Sequence, residues 1–270
     1  MPVVGTNTAA NSAIRFLNNN SNAAATSVSK LASGSRIVRA SDDAAGLAIS
    51  TKLTGDVTAL KQAATNASQA ASILQVADGG LARVSDVLQR MKALASQSLS
   101  GSVTDTERAY INAEFTALDA EILGIETTTT FNGDALIDGT FNENFFVGLG
   151  AAGVVNNITA NLTTVNVAAV TGDVSTAGTA ATAFTNVTAR INTIATGRAT
   201  VGALISRFET RGQQVATSIE NIEAANSKLK DVDLAAEQSK LVTANVLTQA
   251  AVSALSQANQ IPQTLLRVLQ

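Results

Sequence analysis

The chain has 270 residues, a net charge of −3, 46% apolar residues and only 3% aromatic ones. Histidine and cysteine are both absent, which excludes imidazole acid–base chemistry, thiol nucleophiles, disulfides and nearly every transition-metal site. The charge balance gives no pull toward nucleic acid or anionic lipid. The opening "MPVVGTNTAANSAIRF" lacks the basic and apolar regions of a Sec-type signal peptide. No stretch reaches the roughly 18 apolar residues of a membrane span. Expected, then, are export by another route, no cofactor and no membrane insertion.

Five helical segments follow from the apolar spacing. The first carries Ile14, Leu17, Ser21, Ala24, Val28 and Leu31. The second carries Leu53, Val57, Leu60, Ala64, Ala67, Ala71 and Leu74, then resumes after one skipped step as Ala77, Leu81, Val84, Leu88, Met91 and Ala95. The third opens on a capping-box signature, Thr104 with Glu107, and continues through Ile111, Phe115, Leu118, Ile122 and Ile125. The fourth runs from Val187 to Leu229, with Arg198, Gly212 and Asn226 at core-like positions. Snorkelling, close approach and register setting explain these three in turn. The fifth has Leu241, Ala244, Thr248, Ala251, Leu255 and Ala258. Steps of three and four average about 3.5 residues, the coiled-coil period. The second, third and fourth segments therefore read as rods of one bundle.

Between them, residues 127–183 are rich in Thr, Asn, Gly and Ala. Asn132-Gly133 and Asp138-Gly139 are turn signals, and β-hairpins are expected there. Residues 156–182 read as a surface excursion with at most a small β decoration. "GLGAAG" (148–153) satisfies a dinucleotide-binding fingerprint, but no helical stripe follows it, so a Gly-rich loop is expected. Ser41-Asp42-Asp43 reads as a helix cap with acids at the positive end of the second helix.

Charge separates the terminal segments from the middle. No acid precedes Asp42, and Arg267 is the only charged residue after Lys240. Alone in water such helices are marginal. They become stable when the two stripes pair and neighbouring copies cover the rest.

Four stretches carry a resemblance: "KLASGSRIVRASDDAAGLAIS" (30–50), "LQRMKALASQS" (88–98), "TTFNGDAL" (129–136) and "LTQAAVSALSQANQIPQTLLRVLQ" (247–270). They resemble the conserved blocks of bacterial flagellins, in that family's order, across roughly the first 140 and last 85 residues. The resemblance implies a mainly α fold, with a long coiled-coil bundle, a small β-hairpin region at its tip and terminal helices pairing as a coiled coil. It further implies an inner-tube domain (1–40 plus 235–270), an outer-tube bundle (41–140 plus 184–234) and a short variable surface region (141–183).

The implied function is that of a secreted, extracellular structural subunit that self-assembles into the flagellar filament and is no enzyme. A hook–filament junction protein of the same superfamily is the alternative, and a membrane-inserting translocator is weaker. Implied partners are other copies of the chain, an export chaperone, the filament cap, hook-junction proteins and a vertebrate innate receptor. The terminal assembly stripe comprises Ile14, Leu17, Val28, Leu31, Leu241 and Leu255.

The family's subunit-interface and receptor patch falls on Gln89, Arg90, Leu94, Gln97 and Glu114. Lys92 and Ala93 stand where the family usually has Arg and Glu. At about 100° per residue, Leu88, Met91 and Ala95 point into the bundle. Arg90, Leu94 and Gln97 share a face about 120° away, so Leu94 is expected to be exposed.

Overall fold

The computed structural model describes residues 6–150 and 154–268, with 261–268 as backbone only. The outermost residues of both termini and Ala151–Gly153 of the Gly-rich stretch lie outside the described residues. Five helices dominate: α1 (Thr8–Ser33), α2 (Ala44–Ser98), α3 (Asp105–Thr128), α4 (Ala177–Lys230) and α5 (Leu234–Val268). Four short strands, β1 (Thr130–Phe131), β2 (Asp134–Ala135), β3 (Asn142–Leu149) and β4 (Val155–Asn161), lie between α3 and α4. The chain divides into two compact units, residues 56–220 and residues 1–55 with 221–270.

In the unit 56–220, burial follows the heptad. On α2, Leu60, Ala67, Leu74, Leu81, Leu88 and Ala95 are buried at intervals of seven, and so are Ala63, Ala70, Ala77, Val84, Met91 and Ser98. The skipped step expected at Leu74–Ala77 is instead a short step at Val57–Leu60–Ala63, beyond which the repeat is unbroken. On α3 the repeat is Arg108, Phe115, Ile122, and on α4 it is Ala180, Val187, Ile194, Val201, Phe208, Val215. A side chain returning to the same place every seven residues is what a coiled-coil seam requires.

The start of α3 is the expected capping box. Thr104 Oγ1 accepts from the Glu107 amide, and the Glu107 carboxylate accepts from the Thr104 amide at 2.7 Å. Those hydrogen bonds to Thr104 hold the Glu107 carboxyl below the usual glutamate value. Arg108 closes the α2–α3 turn, donating to the carbonyls of Ser98 and Ser100 and pairing with Asp105 at 2.9 Å.

Asn132-Gly133 makes the expected tight hairpin between β1 and β2, with positive φ at both residues (55° and 94°). That is the backbone a two-residue hairpin loop of the primed type demands. Asp138-Gly139 makes no hairpin. The Asp138 carboxylate accepts from the Thr140 amide and hydroxyl, and its backbone bridges to Asn166. The second hairpin joins β3 to β4 across the Gly-rich stretch.

The surface excursion expected over 156–182 is corrected. Leu162, Val165, Val167, Val170 and Val174 are all buried in the same core cluster as the helices. This strap crosses the bundle, and its backbone is latched by side chains from three helices. Asp119 and Asn112 accept from the amides of Val170 and Val174, Asn186 donates to the Thr171 carbonyl, and Ser98 donates to the Val174 carbonyl. Close approach occurs at Gly197, where a Cβ would sit 3.1 Å from a Val165 methyl, and at Gly80 beside Thr129. At Gly212, expected to serve that purpose, an added Cβ would meet no neighbouring element within 4 Å among the described residues.

In the other unit, α1 ends at Gly34 in the left-handed conformation (φ 66°). The following residues pair with the segment after α4. The Arg36 amide and the Ser35 hydroxyl both donate to the Lys230 carbonyl, and the Val232 amide donates to Gly34. Helix α2 begins as the sequence suggested, with Asp43 capping the Gly46 amide at 2.8 Å. Asp42 turns the other way and accepts from the Val38 and Arg39 amides. Those bonds hold its carboxyl below the usual aspartate range.

Candidate assembly surfaces

Helices α1 and α5 pack along each other. Their direction is antiparallel: Asn7 at the start of α1 reaches the Ala258 carbonyl, and Ser27 near its end reaches Glu237. The α5 face is a heptad series, Glu237, Ala244, Ala251, Ala258, all buried, with Leu241, Thr248 and Leu255 half-buried between them. Facing it are Ala10, Ala13 and Ser27, buried, with Leu17, Asn20, Ala24 and Leu31 half-buried.

Leu17, Leu31, Leu241 and Leu255 thus lie on the seam. Ile14 and Val28 do not, being 43% and 51% exposed. Small residues at the centre of the seam let the backbones approach, which pushes larger side chains to its flanks. Alternate positions of the expected α1 stripe, Ile14, Ser21 and Val28, are therefore each one residue beyond the seam positions Ala13, Asn20 and Ser27, whereas the expected α5 stripe coincides with the seam. Apolar residues remain uncovered on α5, including Val242 (52% exposed) and Val246 (59%). At about 100° per residue these two face nearly opposite the alanine seam.

Glu237 is buried, yet it is fully satisfied. Ser27 Oγ donates to one carboxylate oxygen at 2.8 Å and Lys240 Nζ to the other at 3.0 Å. Lys240, then Ser27, hold its carboxyl below the ordinary glutamate value against the opposing effect of burial.

The second candidate surface lies on α2 and α3. Arg90 and Glu114 form an exposed ion pair at 2.7 Å across the two helices, and Gln89 and Gln97 are also exposed. Leu94 is the exception. It is 2% exposed and belongs to the core cluster, so the expectation of an outward leucine is corrected. The buried arc of α2 from Leu81 to Ser98 spans about 140° at 100° per residue, and Leu94 sits at its edge. The strap widens the core beyond what the helix stripes alone suggested. Lys92 lies over the Phe184 ring at 5.2 Å, a cation–π contact within its own unit.

A sequence family described as the bacterial flagellin N-terminal helical region matches residues 4–142. Its C-terminal counterpart, the bacterial flagellin C-terminal helical region, matches residues 184–269. The chain belongs to the bacterial flagellin family. A flagellin of Halalkalibacterium halodurans is 35% identical over 271 residues, 99% of this chain and 100% of the relative. A flagellin of Bacillus subtilis is 34% identical over 299 residues, 98% of each. A flagellar filament 33 kDa core protein of Treponema phagedenis is 34% identical over 285 residues, 99% of this chain and all of the relative.

This flagellin is therefore a structural subunit that self-assembles into the extracellular flagellar filament, not an enzyme. The GxGxxG match has a structural explanation: strand β3 ends at Leu149 and the next element is strand β4, not a helix, so no helix N-terminus is offered to a pyrophosphate. Among the described residues no group of acidic side chains is arranged to hold a metal, and no helix is long and apolar enough to cross a membrane.

Proposed function

We propose that this flagellin builds a two-layered filament, with the α1–α5 pair (1–40 and 235–270) as inner tube and the bundle (41–140 and 184–234) as outer tube. Residues 141–183 complete the bundle. The supporting observation is the pair of faces on α5: an alanine seam toward α1, and Val242 and Val246 turned away from it. In a polymer the second face is covered by neighbouring copies, at a gain of about 25 cal/mol per Å² of apolar surface. The subunit leaves the cell through the flagellar export apparatus, with an export chaperone, the filament cap and hook-junction proteins as partners.

Arg90, Glu114, Gln89 and Gln97 form the outer surface that meets the next subunit and that a vertebrate innate receptor reads on the monomer. Leu94 supports that surface from beneath. Lys92 is engaged by Phe184, and Ala93 offers no charge, so receptor activation by monomer is expected to be modest and by filament low. Electron microscopy of filaments grown from this chain alone tests the layered reading. Two concentric densities are expected; a filament with no density inside the bundle layer would refute it.

A further inference from the structure

The α1–α5 seam poses a specificity problem. The α5 series repeats alanine at 244, 251 and 258, and α1 presents Ala10, Ala13 and Ala24. Sliding one helix by a heptad, about 10.5 Å, brings alanine against alanine again, so apolar packing discriminates weakly between registers. Two polar contacts do discriminate, and they lie at opposite ends of the seam.

At one end Ser27 Oγ donates to buried Glu237 at 2.8 Å. Glu237 is the only carboxylate in either helix. At the other end Asn7 Nδ2 donates to the Ala258 carbonyl at 2.8 Å. That carbonyl is available for a covalent reason: its helical partner four residues on is Pro262, which has no N–H. Asn7 also caps its own helix, accepting from the Ala10 amide at 3.0 Å. The spacing agrees at both ends, because Asn7 to Ser27 is 20 residues on α1 and Ala258 to Glu237 is 21 on α5.

We propose that the Ser27–Glu237 and Asn7–Ala258 contacts are the register pins of the terminal coiled coil, and hence of the subunit conformation that enters the filament. The inference rests on the reading that α1 and α5 pair in the assembled subunit. A heptad slip that brings Glu237 to the level of Asn20 takes from the carboxylate its bond to Ser27, leaving Lys240, on its own helix, as the partner that travels with it and the half-buried Asn20 amide as the group it then faces. The same slip strands the carbonyl freed by Pro262. A buried polar group with its partner removed is costly, whereas one alanine packs against the seam about as well as the next. This is the role a single polar seam residue plays in other coiled coils.

The test uses the absence of native cysteine. Full-length chains carry Ala13→Cys with Ala251→Cys, level in the observed register, or Ala13→Cys with Ala244→Cys, level after a one-heptad slip. Filaments are oxidised and the intrachain crosslink is read by gel mobility. In the parent, the 13–251 crosslink should exceed the 13–244 crosslink at least tenfold.

Glu237→Ala, which extends the alanine series to 237, should move that ratio at least fivefold toward the slipped pair. Ser27→Ala should do so in the same direction, and Glu237→Gln, which can still accept from Ser27, should largely restore the parent ratio. A role in stability alone would lower both crosslinks together and leave their ratio fixed, and that result overturns the proposal. Absence of the 13–251 crosslink in the parent would overturn the pairing itself, a distinguishable failure. If Glu237→Ala forms no filament, Ser27→Ala and Asn7→Ala carry the same ratio test.

Discussion

Phe208→Ala probes how the bundle is held together. Phe208 is fully buried at the fifth heptad position of α4 and meets the Phe145 ring edge-on, with centroids 5.7 Å apart. It thereby joins a helix of the bundle to the β3–β4 hairpin, which is further tied by Asn66 donating to the Phe146 carbonyl at 3.2 Å. Truncating a buried Phe to Ala costs about 3–5 kcal/mol, including about 1 kcal/mol for the ring pair. Open space beside Ala64, Ala71 and Gly212 adjoins the ring. That space allows some collapse, which places the expectation near 3 kcal/mol. For a unit of this size that corresponds to a fall in Tm of roughly 6–12 °C. Phe145→Leu stays apolar but is smaller and loses the ring edge; at this half-buried position it should cost about 1 kcal/mol. Thermal unfolding of the monomer followed by circular dichroism measures both. A Phe208→Ala loss below about 1 kcal/mol would refute the argument, because a side chain so placed could not then be a core anchor.

Arg90→Ala should leave monomer stability within a few tenths of a kcal/mol, because its pair with Glu114 is exposed (59% and 45%) and screened; filament assembly and receptor signalling should weaken together. Wild-type behaviour in both would remove that surface from the proposal. Leu255→Asp places an unpaired charge on the terminal seam and should abolish polymerisation in a sedimentation assay while the bundle stays helical. Removing residues 1–40 together with 235–270 should leave a soluble helical monomer; filaments from that variant would contradict the assignment of the termini. Because the folded pKa of Glu237 is depressed, its stabilisation is fully present above the ordinary glutamate value and is lost as pH falls through the lower folded value. Filaments of Glu237→Gln should accordingly show less acid-induced disassembly, relative to their own neutral-pH stability, than the parent.

The helices were legible because a coiled coil writes itself into sequence at a fixed period. Val187, Ile194, Val201, Phe208 and Val215 can be counted off in sevens, and the Thr104–Glu107 cap is a local hydrogen-bond pattern that needs no tertiary information. Legibility failed where small residues do the packing. Ala63 and Ala70 are buried more deeply than Ala64 and Ala71, yet alanine at both phases left the sequence unable to choose between them. The same ambiguity misplaced Ile14 and Val28, since the eye follows large side chains and this seam is built on Ala10, Ala13 and Ser27.

The strap was missed for a different reason. Ile158, Ala160 and Leu162 are buried and alternate with exposed Asn157, Thr159 and Asn161, and Val165 and Val167 flank exposed Asn166. That is the period of a strand with one covered face. The signal was present, but Thr and Asn gave the segment the composition of a surface loop. Composition reports which side chains water can tolerate, whereas alternation reports which ones it reaches. The latches then make burial of the irregular backbone possible: without Asp119 and Asn112 the amides of Val170 and Val174 would lose partners that irregular chain cannot supply for itself. Asn112 and Asp119, polar residues off the apolar stripe of α3, are therefore what allow a segment lacking regular structure to complete a coiled-coil core.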